Sequence, residues 1–177
     1  MKLIFLFMPF FIYSYEFSEL LAKNQKFSSN ITISDSESII SEGYITYQND
    51  DFIYTIYQPD NQILAGMKGQ LFIQDNDFKQ VMIYQDDDSF FVKRLLVNSY
   101  LYEQLVCADT SKSCYRLDVN DERIDDAILI FKDAMLHEIH IWDFQNTRFL
   151  VKFDNYVLES TNISYEPPDE YELIVND

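Results

Sequence analysis

Glycine and basic residues are scarce in this 177-residue chain, and their scarcity excludes several classes of protein. Three glycines are too few for a glycine-rich phosphate loop or a dinucleotide-binding fingerprint. Lysine and arginine number 13 against 30 acidic residues, which gives a net charge of −17. Because nucleic-acid binding needs clustered positive charge, we expect no nucleic-acid partner, and we expect anionic membrane surfaces to repel the chain.

Long apolar runs are also missing, except at the N-terminus. After Lys2, an apolar run extends from Leu3 to Tyr13 and is followed by Ser14. This pattern is typical of a secretory signal peptide, and the run is shorter than the roughly 20 residues that a transmembrane helix needs. We therefore predict a signal peptide over residues 1–14, a single folded domain over residues 15–177, and a location outside the cytoplasm.

Only two cysteines are present, Cys107 and Cys114. Their spacing is not Cys-x-x-Cys, which argues against a redox motif, and a secreted chain allows oxidation. We predict a structural disulfide that closes a hairpin formed by residues 100–107 and 114–119.

The stretch from Phe52 to Tyr84 is the most informative part of the sequence. Alternating aromatic and β-branched residues separated by short turns with Pro, Asp, Asn or Gly are typical of a β-meander. The predicted strands are 52–57, 62–66, 70–74 and 78–84.

Elsewhere the pattern predicts further strands and two helices, without an internal repeat or a linker. Helices are expected over residues 16–26 and 88–97, where apolar side chains share one helical face. Outside the meander, strands are expected at 27–33, 43–48, 100–107, 114–119, 124–132, 136–143 and 147–153. The total is about ten strands and two helices in one domain.

Chemistry-bearing residues give no convincing catalytic or metal site. His137, Glu138 and His140 are the only hint of a metal site, but strand alternation puts the two histidines on opposite faces. The turn Asp75-Asn76-Asp77 lacks the glycine and the distal glutamate of a calcium loop, and the chain has no Gly-x-Ser-x-Gly elbow. We expect no enzyme activity, no metal and no cofactor.

The meander resembles the LolA-type carriers, which move lipoproteins through the periplasm of Gram-negative bacteria. The residues that match that family's pattern are Phe52, Tyr54, Gln58, Pro59, Asp60, Ile63, Leu64, Gly69, Leu71, Phe72, Asp75 and Gln80. A second match near the end consists of Asp143, Asn146, Thr147, Phe149 and Tyr165-Glu166-Pro167-Pro168. The chain departs from the pattern at Gln48-Asn49-Asp50, where the family usually carries Lys-Arg-Pro.

The resemblance implies a fold and a cavity. The fold is mainly β (α+β), a curved antiparallel sheet that forms an unclosed half-barrel whose concave face is covered by two short helices. The residues that we expect to line an acyl-binding cavity are Phe52, Tyr54, Ile56, Leu71, Ile73, Ile139, Ile141, Phe149 and Val151. Phe91, Leu95 and Leu96 are expected to form the lid.

The resemblance also implies a periplasmic carrier that shields the acyl chains of lipoproteins. Its expected partners are acylated lipoproteins, an ATP-driven inner-membrane complex that loads it, and an outer-membrane receptor lipoprotein; we expect the carrier itself to be a monomer. Two alternatives remain: a ligand-sensing periplasmic regulator on the same fold, and a periplasmic interaction module with a packed core.

Overall fold

The protein is described here by a computed structural model that covers residues 16–85, 91–96, 100–119, 123–158 and 162–176. The predicted signal peptide lies outside the described residues. The helices are α1 (Phe17–Lys23) and α2 (Phe91–Leu95). The strands are β1 (Lys26–Ser34), β2 (Ile39–Gln48), β3 (Asp51–Gln58), β4 (Gln62–Met67), β5 (Gln70–Asp75), β6 (Gln80–Tyr84), β7 (Leu101–Leu105), β8 (Lys112–Asp118), β9 (Asp126–Lys132), β10 (Met135–Trp142), β11 (Arg148–Leu158) and β12 (Glu172–Asn176).

All twelve described strands belong to one sheet, in the order β12-β6-β5-β4-β3-β2-β1-β11-β10-β9-β8-β7. The sheet is curved and unclosed, because its two end strands, β12 and β7, do not pair with each other. The predicted mainly-β class with one sheet and two short helices is therefore confirmed. Helix α1 is shorter than the helix predicted over residues 16–26. Helix α2 lies within the helix predicted over residues 88–97, part of which is outside the described residues.

Strand β12 corrects the expectation of a purely antiparallel sheet. It pairs with β6 in parallel, from Glu172 opposite Gln80 to Asn176 opposite Tyr84, and the sequence did not predict it. A parallel pair needs a crossover connection instead of a hairpin. Here the crossover includes residues 162–171, which we call the C-terminal strap.

Short turns in the first half of the sheet follow the predicted turn chemistry. Asn49 and Asp50 join β2 to β3 with φ of 46° and 76°, and Lys68 and Gly69 join β4 to β5 with φ of 54° and 80°. Two residues with positive φ fit the right-handed twist of a hairpin, and Asn, Asp and Gly reach this region at the lowest cost. These turns place β2 beside β3 and β4 beside β5.

The hydrophobic core lies on one face of the sheet, which we call the inner face. It carries Phe52 and Tyr54 of β3, and the strand register puts Leu64 and Ile73 on the same side. Phe17 of α1 packs on this face, with its ring centroid 4.9 Å from that of Tyr115. Val92, Leu95 and Leu96, in and just after α2, belong to the same buried cluster. Both helices therefore bury their apolar side chains against the inner face.

The C-terminal strap crosses the opposite, outer face. The ring centroid of Tyr165 lies 5.3 Å from that of Phe72, and its hydroxyl donates to Gln74 Oε1 at 2.8 Å. Ala65 and Val81, which pair with Phe72 and Gln74 in the ladder, are fully buried. The outer face thus has a small core of its own under the strap.

Candidate functional site: an apolar pocket on the inner face

The nine residues predicted to line a cavity all lie on the inner face. Ile139 and Ile141 of β10 pair with Val151 and Phe149 of β11, as the alternation of these strands implies. Most of the nine are buried in the core, and Phe52, Tyr54, Ile139 and Val151 are at most 2% exposed. Ile141 and Phe149 are the two that line the pocket described next.

An apolar pocket of about 360 Å³ opens near the strand termini of β1, β10 and β11, which lie side by side in the middle of the sheet. This volume falls within the range of about 300–1,000 Å³ that is typical of small-ligand sites. The residues that line it are Ile33, Ile40, Arg94, Arg123, Ile124, Ile141, Asp143 and Phe149. Five of these eight are isoleucine or phenylalanine, so an apolar chain would meet a surface of similar character.

Sequence reasoning missed six of these residues. Ile33 follows Ile31 with strand alternation on β1, and this pattern was a signal that could have identified it. Ile124 and Arg123 precede β9, and Arg94 belongs to α2. No local pattern predicts that such distant segments meet at one pocket mouth.

The predicted lid residues contribute to the core rather than to the wall of the pocket. Leu95 is 0% exposed and Leu96 is 1% exposed. The side chain of Phe91, which is also predicted to belong to the lid, is outside the described part of the structure. From α2 it is Arg94 that lines the pocket.

Gln25 links the two helices to the turn at Asn49, where the LolA-type pattern has an arginine. Its carbonyl oxygen accepts a hydrogen bond from the backbone N–H of Asn49 at 2.9 Å. Its side-chain Nε2 donates to Leu21 O at 3.2 Å and to Leu96 O at 3.3 Å. The contact of the Asn49 turn with the helices therefore runs through its backbone and through Gln25.

Beside the pocket region, the inner face holds a buried pair of hydroxyls. Tyr54 OH and Ser41 Oγ lie 2.6 Å apart on the neighbouring strands β3 and β2. Burial raises the pKa of Tyr54, although the hydrogen bond with Ser41 acts in the opposite direction. The phenol is neutral at physiological pH and serves as a hydrogen-bonding group in the core.

The predicted separation of the two histidines is wrong. A β-bulge between Leu136 and Glu138 disturbs the alternation of β10, so His137 Nε2 lies 3.4 Å from Glu138 Oε1 while His140 Nε2 lies 3.0 Å from Glu138 Oε2. Lys112 Nζ is 3.0 Å from the same carboxylate. In the described part of the chain, no group of three or more His, Cys, Asp or Glu side chains is arranged to hold a metal ion.

The predicted disulfide is confirmed. Cys107 and Cys114 are bonded, with their Cα atoms 5.7 Å apart, and the bond closes the loop between β7 and β8. On the chain-entropy account, a loop this short contributes roughly 2–3 kcal/mol to stability. The disulfide stabilises the hairpin that packs beside Phe17, since Tyr102 of β7 lies 4.5 Å from that ring between centroids.

The described residues include no helix long and apolar enough to cross a membrane. The fold is that of a single-sheet β protein with an apolar pocket between the sheet and a short helix. No family model and no curated protein sequence matches the chain.

Several solved structures are similar to this chain. An uncharacterised conserved protein from Thermus thermophilus superposes with a TM-score of 0.62 and 9% identity, over 90% of this chain and 98% of that one. MucB superposes with a TM-score of 0.54 and 10% identity, over 89% of this chain and 63% of that one. A LolA superfamily protein from Nitrosomonas europaea reaches a TM-score of 0.46 with 9% identity, over 84% of this chain and 96% of that one.

At such low identity, the similarities to the Thermus thermophilus protein and to MucB show the fold and no family membership. This chain spans less than two thirds of the length of MucB. MucB has also been solved in complex with MucA from Pseudomonas aeruginosa.

Proposed function

We propose that this protein is a periplasmic carrier that shields the acyl chains of lipoproteins and moves them from the inner to the outer membrane. The observation that carries the proposal is the apolar pocket between Ile33, Ile141 and Phe149 on the inner face. The resemblance of residues 52–84 to the LolA-type carriers supplies the class of cargo. The proposal assigns the protein no catalytic role.

The energetics of the cargo explain why a carrier needs such a pocket. Exposure of an acyl chain to water costs roughly 0.8 kcal/mol per CH₂, or about 12 kcal/mol for a sixteen-carbon chain. Free diffusion between two membranes is therefore very unfavourable. Donor and acceptor membranes are also apolar. For reversible transfer, the free energy of the acyl chain in the binding site therefore only has to match its free energy in these membranes to within a few kcal/mol.

On this proposal α2 acts as the lid over a concave inner face. The helix has five residues, and an isolated helix of that length is not stable by itself. Its attachment includes the burial of Val92 and Leu95 and the hydrogen bond from Gln25 to Leu96. A longer cargo chain would enlarge the pocket by displacing α2, and the other half of the sheet, with Leu71 and Ile73, would then receive it.

A second candidate is a lipid-sensing regulator that binds a protein partner. The likeness to MucB favours it, because MucB forms a complex with MucA. Such a regulator would bind lipid in the same pocket but would not hand cargo over. The third candidate, an interaction module with a packed core, is favoured by the near-complete burial of Phe52, Tyr54, Ile139 and Val151.

A release assay separates the three candidates. Inner-membrane vesicles that carry a labelled lipoprotein and the ATP-driven loading complex are incubated with ATP and purified protein, and soluble lipoprotein is measured. We expect release by the wild type and none by Phe149→Glu. Lipid bound to the protein without release would favour the regulator, and neither lipid nor release would favour the packed module.

A further inference from the structure

We propose that the pocket also binds a free fatty acid, with the acyl chain in the apolar interior and the carboxylate at Arg94 and Arg123 at the mouth. This inference rests on the proposed acyl-binding function and adds a ligand with a charged headgroup. It concerns the specificity of the same pocket.

The interior of the pocket suits a single chain. Ile33 is 9% exposed, Ile124 is 5% exposed and Ile141 is 5% exposed, so their side chains face the pocket from within the fold. The volume of about 360 Å³ is near the lower end of the range for small-ligand sites. An unbranched chain with one small headgroup fits this space better than a multi-chain lipid does.

The mouth provides positive charge in a strongly acidic protein. Arg94 comes from α2 and Arg123 from the segment before β9, yet both line the same opening. A guanidinium has five N–H donors and binds a carboxylate in a planar, bidentate geometry. Each arginine can therefore keep another contact and still donate to a ligand.

Among the described residues that line the pocket, Asp143 is the acidic one. Its Oδ1 accepts hydrogen bonds from the backbone N–H groups of Gln145 at 2.9 Å and Thr147 at 2.8 Å, so it is engaged in the turn between β10 and β11. The described lining of the mouth thus holds two guanidinium groups and one carboxylate that is engaged by its own turn.

The surface beside the mouth suits delivery of a chain from a membrane or an aggregate. Ile39 and Phe144 are 58% and 63% exposed. Each is the sequence neighbour of a residue that lines the pocket, namely Ile40 and Asp143. An acyl chain would thus pass exposed apolar side chains before it enters.

The test is isothermal titration calorimetry at neutral pH with dodecanoic acid and with 1-dodecanol, which has the same chain but no charge. We expect the acid to bind at least about tenfold more tightly, as charge-assisted hydrogen bonds imply. The double variant Arg94→Gln/Arg123→Gln should remove this preference, so that acid and alcohol bind it with similar affinities. Lys132→Gln/Lys152→Gln is the matched control, because it removes two positive charges from exposed sites outside the pocket.

The outcomes separate this inference from the proposed function. Equal affinity of the wild type for acid and alcohol would overturn the headgroup site and leave acyl binding intact. Binding of neither compound would overturn both. The comparison of acid with alcohol in the wild type does not depend on how the variants fold, and Arg94→Lys/Arg123→Lys, which keeps both charges, should retain part of the preference for the acid.

Discussion

Tyr156 donates a hydrogen bond of 2.6 Å from its hydroxyl to Oδ1 of Asn24, which is fully buried just after α1. The same Oδ1 accepts the backbone N–H of Leu136 at 3.0 Å. Asn24 Nδ2 donates to Leu20 O at 2.7 Å and to Ala134 O at 3.0 Å. All four hydrogen-bonding positions of this amide are used, so one side chain joins the end of α1 to the turn between β9 and β10.

We expect Asn24→Ala to lower the free energy of unfolding by about 3 kcal/mol or more, because it leaves several buried polar groups without a partner at about 1–3 kcal/mol each. Tyr156→Phe removes only one of these hydrogen bonds and should cost about 1 kcal/mol. Urea-induced unfolding followed by circular dichroism measures both. Equal effects of the two substitutions would contradict the central role of Asn24.

Phe149 and Val151 lie two residues apart on the same face of β11, but only Phe149 lines the pocket. A glutamate at position 149 can reach water through the mouth, so Phe149→Glu should abolish acyl binding and change the melting temperature little. Val151 is 0% exposed, and Val151→Glu would bury a carboxylate without a partner. We expect this variant to lose several kcal/mol of stability.

Thermal melts together with acyl-binding assays compare the two variants, with Thr55→Glu on the outer face of β3 as a control that should preserve both properties. Unfolding of Phe149→Glu, or undiminished acyl binding by it, would count against a pocket that admits water and ligand at this position.

Glu138 on β10 should make the stability depend on pH. Burial raises its pKa, but hydrogen bonds from His140 and Lys112 outweigh burial, and the net effect lowers the pKa below the ordinary value of 4.5. The folded state then binds a proton less readily than the unfolded state. Its contribution to stability is present above pH 4.5 and is lost as the pH falls through the folded pKa.

Unfolding free energies measured between neutral and acidic pH should therefore fall less steeply for Glu138→Gln than for the wild type. Lys112→Gln should act in the same direction, and the double variant should show that the two effects are not additive, because the groups are in contact. If the unfolding free energy of Glu138→Gln falls with pH as steeply as that of the wild type, the Glu138 carboxylate does not cause the pH dependence.

Tyr165 holds the C-terminal strap on the outer face. Burial, with a smaller contribution from Tyr171, raises its pKa to about 12, as expected of a phenol that keeps its proton against Gln74. Tyr165→Phe should cost about 1 kcal/mol, and Tyr165→Ala about 2 kcal/mol or more, because it also removes the ring from Phe72. Tyr57, which is 61% exposed, is the matched control. If Tyr57→Ala lowers the stability of the protein as much as Tyr165→Ala does, the contacts of Tyr165 in the strap make no specific contribution to stability.

Local chemistry explains which parts of the fold the sequence could predict. Turns such as Asn49-Asp50 and Lys68-Gly69 depend on a backbone conformation that few residues adopt easily. The alternation of apolar and polar residues in β3, β10 and β11 identified the apolar face of the sheet. A shift of one residue in strand register would turn these apolar side chains to solvent. The short spacing of Cys107 and Cys114, next to two predicted strands, indicated a hairpin closed by a disulfide.

The missed features depend on contacts between distant segments. Strand β12 pairs with β6 across about 90 residues, and Leu173-Ile174-Val175 does not alternate in hydrophobicity. The bulge at His137 is a feature of the β9–β10 ladder. Arg94 and Arg123 meet at the pocket only because α2 and the segment before β9 converge near the strand termini of β1, β10 and β11.

The central claim is that the inner-face pocket holds an acyl chain in the cell. The most direct measurement is native mass spectrometry of the protein purified without detergent from the periplasm, followed by lipid extraction. We expect the wild-type protein to carry bound acyl-bearing molecules and the Phe149→Glu protein to carry none. Wild-type protein that carries no acyl-bearing molecule and gains none when acyl ligand is added would contradict it.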